Sequence, residues 1–266
     1  MINKLGHPSG FFYPFWRTLE LSHSLFKSPY SRRCIKPLSL FQVNIHITIY
    51  MVTISLIHYS KNKYWAFKQM QLLPPLLAKV SGCEFAKLLG TGSGFGFSLW
   101  PDFSTYALLM KWESEDKAED FFLHSKVFKE LTERSEKIET HYLESLGAHG
   151  SWYGNNPFPE KAEYAGGKIA VITRARININ KLPRFWQFVP MASRAIENAK
   201  GLIFTKGVGE WPLIEQATFS IWENQQAMKD YAYADIHKEI IGKVKKENWY
   251  KEELFSRFNY IKSISH

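Results

Sequence analysis

The sequence predicts an α+β fold: two tandem ferredoxin-like units in one chain, closed on each other as a barrel. Three observations carry this expectation. A set of motifs recurs once along the 266 residues, in the same order. Each copy reads strand, helix, strand, hairpin, strand, helix. One such unit leaves a sheet face uncovered, and two can bury those faces against each other.

The first element lies in "NIHITIYMVTISLIHY", Asn44–Tyr59, which alternates apolar and polar residues for too long to be one ordinary strand. The repeat accounts only for its second part, "MVTISLIHY". Residues 1–50 are therefore expected to be an appended extension, disordered in part, and Met51 is an alternative start for the chain. Unit one takes residues 51–144. Its helix "KYWAFKQM" (Lys63–Met70) has its counterpart in "RFWQFVPM" (Arg184–Met191), an offset of 121. "FAKLLGTGSG" from Phe85 answers to "FTKGVGEWP" from Phe204, an offset of 119, and Trp112 answers to Trp222, an offset of 110. The drift is what unequal loops produce. Residues 145–167, rich in Gly, Asn and Pro, read as a linker. Unit two takes 168–266. Its first strand is "KIAVITRARI", and its helix sets Phe185, Phe188, Val189, Ala192, Ala195 and Ile196 at helical spacing. "GLIFTKGVG" reads as a strand ending in a glycine turn, and "EQATFSIW" as the next strand. "ENQQAMKDYAYADIHKEIIGKVKKE" supplies helix, and "NWYKEELFSRFNYI" a structural tail.

Composition narrows the function. Apolar residues are 45% and charged residues 22%, ordinary for a globular chain. The 20 Phe, 13 Tyr and 9 Trp suit a deep core or a pocket for a flat apolar ligand. Of the net charge of +9, residues 1–50 hold +5, from six basic residues and Glu20. A nucleic-acid binder carries its basic excess on a folded face, so nucleic acid is not expected as a partner. Cys34 and Cys83 have no metal-ligand spacing, which fits a reducing, cytoplasmic compartment. No run of 18 apolar residues occurs, and the N-terminus lacks the order of a signal peptide.

Few motifs carry chemistry. "GTGSGFG", Gly90–Gly96, lacks the Gly-Lys-Ser/Thr of a phosphate loop and reads as a hairpin turn. His237 shares a helix face with Ile240, Ile241 and Val244, and is either an axial haem ligand or a hydrogen-bonded core histidine. Arg174 and Arg176 face the same side of a strand: inward they can hold anions, outward they are solvated. Arg194 and Lys206 either contact an anionic group or lie at the surface.

"RFWQFVPMASRAI", "GLIFTKGVGEWPLIEQATFSIW" and "ENWYKEELFSRF" resemble the spheroidene monooxygenase family of carotenoid-modifying enzymes, as do "WAFKQM", the "GTGSGFG" region and "HGSWYGNNPF". The resemblance runs from about Val52 to Tyr260. "WESEDKAEDFFLHSKVFKEL" is similar to the second-helix motif of the dimeric α/β-barrel superfamily, here with both halves in one chain. The resemblance implies an oxygenase that introduces a hydroxyl or keto group at C-2 of an acyclic carotenoid, using molecular oxygen and haem iron. His237 would be the metal ligand, one turn before Ile241, where haem-binding relatives place theirs. Arg174 would be catalytic, polarising oxygen or anchoring a propionate, with Arg194 and Lys206 also on the cofactor. Phe188, Phe204 and Trp222 would line the polyene pocket. A separate electron donor is implied, as is contact with the periphery of the inner membrane. Two other readings are a cofactor-independent small-molecule monooxygenase on the same barrel, and a non-catalytic haem or isoprenoid binder.

Overall fold

The computed structural model describes residues 50–94, 98–234, 242–244 and 246–266. The expected extension, residues 1–50, lies outside them except for Tyr50, and so does His237.

Eight antiparallel strands close into one barrel. The first half holds β1 (Met51–His58), β2 (Cys83–Gly92), β3 (Pro101–Trp112) and β4 (Lys137–Gly150). The second holds β5 (Ile169–Ile177), β6 (Leu202–Trp211), β7 (Glu215–Trp222) and β8 (Tyr250–Ser265). Around the barrel the order is β1-β3-β2-β6-β7-β5-β8-β4. The described residues give α-helices α1 (Lys63–Leu72), α2 (Pro74–Leu77), α3 (Glu115–His124), α4 (Lys126–Arg134), α5 (Leu182–Glu197) and α6 (Gln225–Ala232). This is the expected α+β class, two ferredoxin-like halves forming one barrel.

β1, β5, β7 and the second half of β3 are buried on both faces, because their residues alternate between the barrel interior and the helices, whereas β8 has an exposed outer face. Val52, Ile54, Leu109 and Leu143 meet Ile172, Phe219 and Phe258 of the other half in the interior. Met51, Leu108, Met110 and Trp112 pack outward, with Phe121, Phe128 and Leu131 of α3 and α4. In the second half Ile169, Val171 and Trp222 pack with Ile196 and Met228. The repeated Trp-Glu-Ser/Asn motif has a local cause. Trp112 and Trp222 end their strands, and Ser114 and Asn224 cap the next helix. Ser114 accepts the Lys117 N–H at 3.4 Å and Asn224 accepts that of Ala227 at 2.9 Å. Glu115 and Asp116 then complement the positive end of α3.

Three readings of the sequence change. The segment read as a tail is β8, which pairs with both β5 and β4 and closes the barrel. β4 had no strand signal and runs to Gly150, into the segment read as a linker. Both strands carry covered polar residues, His141 and Asn259 buried and Glu252 partly buried, so apolar alternation does not mark them. The remainder of the linker is no solvated spacer either. Trp152 and Phe158 are buried in the interior cluster, their rings edge-on to Phe85. Lastly, β6 passes through Gly207 and Gly209, and the turn comes later, at Leu213 with φ +70°.

The halves join at two seams. Between β4 and β8 the pairing runs from Glu139 opposite Ser265 to Gly150 opposite Leu254. Between β2 and β6 only Gly90 opposite Gly209 and Thr91 opposite Val208 are paired.

Candidate functional site

The short β2–β6 seam leaves a groove of about 770 Å³ on the barrel wall. One side is α1, with Phe67 and Met70, and the opposite side is the β6–β7 turn, with Trp211 and Leu213. The β2–β3 connection adds Leu99 and Phe103, and Phe103 meets Phe67 edge-on at 5.8 Å between ring centroids. Leu88, Tyr106 and Val208 belong to the same lining. The seam is short for a backbone reason. At Gly209 an added Cβ would stand 2.5 Å from the Glu215 carbonyl oxygen, so β6 and β7 draw together there and β6 bends at an adjacent bulge.

Lys87 and Glu210, paired at 2.7 Å, also line the groove and connect it to a buried charge network. At its centre is Arg174, 1% exposed. Its guanidinium donates to Glu252 at 2.6 Å and stands 3.7 Å from Glu210 and 3.8 Å from Glu215. The Trp152 indole N–H donates to Glu210 at 2.8 Å, the Tyr153 hydroxyl donates to Glu215, and Arg176 lies 3.2 Å from Glu215. Three carboxylates thus face Arg174, Arg176 and Lys87, and the charges match. Burial alone would raise the Glu252 carboxyl. Hydrogen bonds from the Gly154 N–H, Arg174 and Ser151 outweigh that and hold it near about 2.

Inside the barrel, His141 of β4 lies among Phe204, Phe219 and Tyr260. Its Nδ1 is 3.1 Å from the Tyr260 hydroxyl, and its buried Nε2 has no hydrogen-bond partner among the described residues. Burial lowers its pKa, so it is neutral at pH 7. Tyr106, at the groove, is pushed by burial up to about 12 and keeps its proton.

The residues singled out from the sequence are spread over the molecule. Arg174 faces inward, but its guanidinium is matched by carboxylates. Lys206 pairs with Asp102 at 3.4 Å on the groove side. Arg194 is exposed on α5, donating to the Pro190 carbonyl. Phe204 lies in the barrel interior, whereas Trp222 packs outside it against Tyr231, and Phe188 against Trp249. These three do not line one cavity. Sequence reasoning missed the groove, His141 and the carboxylate partners of Arg174. Only strand register brings those residues together, and no local spacing encodes it.

The fold and the groove define a class: a single-chain dimeric α/β-barrel protein with an apolar site where its two halves meet loosely. A solved structure of aldoxime dehydratase shares the fold, at TM-score 0.51 and 11% identity, over 80% of this chain and 81% of that one. No family model matches the chain. It is 33% identical over 218 residues to spheroidene monooxygenase of Cereibacter sphaeroides, covering 80% of this chain and 67% of the relative. It is 34% identical over 201 residues to spheroidene monooxygenase of Rhodobacter capsulatus, covering 74% and 83%. The chain belongs to the spheroidene monooxygenase family and is an oxygen-using oxidoreductase.

Proposed function

We infer that this chain oxidises an acyclic carotenoid at C-2, introducing a hydroxyl or keto group, and that the polyene lies in the groove at the β2–β6 seam. The observation that carries the reading is the groove itself: apolar, aromatic, open at the surface and continuous with polar side chains at its floor. A polyene offers no hydrogen bonds, so its recognition rests on buried area, at roughly 25 cal/mol per Å². Phe67, Phe103 and Trp211 present flat faces and edges to a stiff conjugated chain.

Insertion of one oxygen atom into a C–H bond reduces the other to water and consumes two electrons and two protons. A separate donor supplies the electrons. Within this reading the Lys87 ammonium, paired with Glu210, and the Tyr106 hydroxyl hold exchangeable protons beside the bound chain. Tyr106 stays protonated at neutral pH and serves as a hydrogen-bond donor to a developing oxygen anion.

Haem enters the proposal through His237 and the family resemblance. The described residues do not themselves form a haem pocket. His141 has an unpartnered Nε2, but Phe204, Phe219 and Tyr260 close around it, and no histidine or cysteine is among the described residues lining the groove. If bound, haem supplies oxygen activation, and the chain's part is to orient the polyene and exclude water.

Expression in a host that makes acyclic carotenoids, followed by pigment analysis, tests the reaction. A C-2 hydroxy or keto product is expected, and unmodified pigment in the presence of oxygen and reductant contradicts it. An absorption spectrum after haem is supplied tests the cofactor separately. A Soret band is expected, lost or shifted in His237→Ala, and no band at all would remove haem from the scheme.

A further inference from the structure

The mouth of the groove lies within a larger exposed apolar area. Of sixteen large hydrophobic side chains exposed on the described surface, nine belong to this one region: Tyr64, Phe67, Leu72, Leu76, Leu99, Trp100, Phe103, Trp211 and Leu213. Trp100 is 76% exposed and Trp211 63%. Five of the nine line the groove directly. Scattered single apolar residues are normal on a protein surface, but a contiguous patch around one opening marks an interaction face.

The charge beside it identifies what covers it. From Tyr59 to Gly82, through α1 and α2, the chain carries Lys61, Lys63, Lys68 and Lys79, all exposed, and no Asp or Glu. Lysine is depleted in protein–protein interfaces. Exposed Trp and Tyr beside Lys, whose stems extend their charges toward water, are the pattern of a membrane–water interface. A second copy of the chain would set four lysines against four. No described helix is long and apolar enough to cross a membrane, which leaves this face to lie on a surface rather than span it.

We propose that the face formed by α1, α2, Leu99–Phe103 and Trp211–Leu213 docks on an anionic lipid bilayer, with Trp100 and Leu76 inserted at the level of the headgroups. Docking turns the mouth of the groove toward the acyl chains. An apolar substrate then enters laterally without crossing water. That consequence rests on the carotenoid reading, whereas the docking does not.

The test uses the full chain in vesicle sedimentation, with phosphatidylcholine alone and with added phosphatidylglycerol. Two variants avoid the groove lining: Lys61→Gln/Lys63→Gln/Lys79→Gln, and Leu76→Ser/Trp100→Ser. The wild type is expected to bind anionic vesicles in a salt-sensitive way. The lysine variant should lose about a hundredfold in affinity for them, at roughly fivefold per charge. The Leu76/Trp100 variant should lose binding while its near-ultraviolet circular dichroism stays unchanged. Wild-type binding in both variants would overturn the proposal. So would absence of vesicle binding in a wild type whose self-association is abolished by the same substitutions, because the face would then belong to a second copy. Turnover of detergent-dispersed carotenoid is measured alongside. If it is absent while vesicle binding behaves as described, the carotenoid reading fails and the docking face stands.

Discussion

The two seams of the barrel use the same architecture in opposite ways. At β4–β8 the strands pair along most of their length, and the polar groups beside them are spent on one another. The Glu252 carboxylate takes hydrogen bonds from Arg174, Ser151 and the Gly154 N–H, and Asn259 bridges Glu144 and the Glu163 carbonyl. At β2–β6 two paired positions and the Lys87–Glu210 ion pair hold the halves together, and beside them lies a largely apolar groove. In the proposed reading, fusing two similar units lets one seam specialise in closure and frees the other for a ligand. Arg174 beside the first is matched by carboxylates on every side that the described residues show.

The largest effect is expected at the charge network. Arg174→Leu leaves three carboxylates facing a buried gap, at a cost of about 3–5 kcal/mol in urea unfolding. A stability near that of the wild type, with activity lost, would instead make Arg174 catalytic. Gly150→Ala comes next. Its φ is +94° and an added Cβ would stand 2.0 Å from the Glu253 carbonyl oxygen, across the β4–β8 seam. The loss should be roughly 1–3 kcal/mol, read as a lower melting temperature. Gly209→Ala, at the other seam, should cost less stability but alter polyene affinity, because the Glu215 carbonyl must move.

Acid separates the seams further. Glu252 titrates at about 2 when folded against an ordinary 4.5, so its stabilisation is complete above about pH 4.5. It is lost as the pH falls through the folded value. Urea midpoints followed from pH 5 downward should fall more steeply for the wild type than for Glu252→Gln. Parallel curves would show that the hydrogen bonds seen at this carboxylate do not favour its charged form. The smallest stability effect belongs to the groove. Phe103→Ser should shift stability by no more than about 0.5 kcal/mol yet weaken polyene binding, measured by titration against the carotenoid absorption band.

Much of the fold was legible because repetition and helix caps are local signals. Trp112 and Trp222, Ser114 and Asn224, and the apolar spacing of α5 all point to elements the structure contains. β4 and β8 were not legible, because His141, Asn259 and the partly buried Glu252 interrupt their apolar alternation. The site was less legible still. Arg174 was legible as a strand residue but not as an inward-facing one, and its partners Glu210, Glu215 and Glu252 come from three other strands. The groove lies where β2 and β6 pair at only two positions, and no residue motif records a short pairing.

Hydrogen exchange with and without an acyclic carotenoid tests the central claim most directly, that the loosely paired seam is the binding site. The expected result is slowed exchange in Leu88–Gly92, Phe103–Tyr106 and Val208–Leu213, with β4 and β8 unchanged. Protection confined to β4 and β8 around His141, with the β2–β6 seam unaffected, would contradict it.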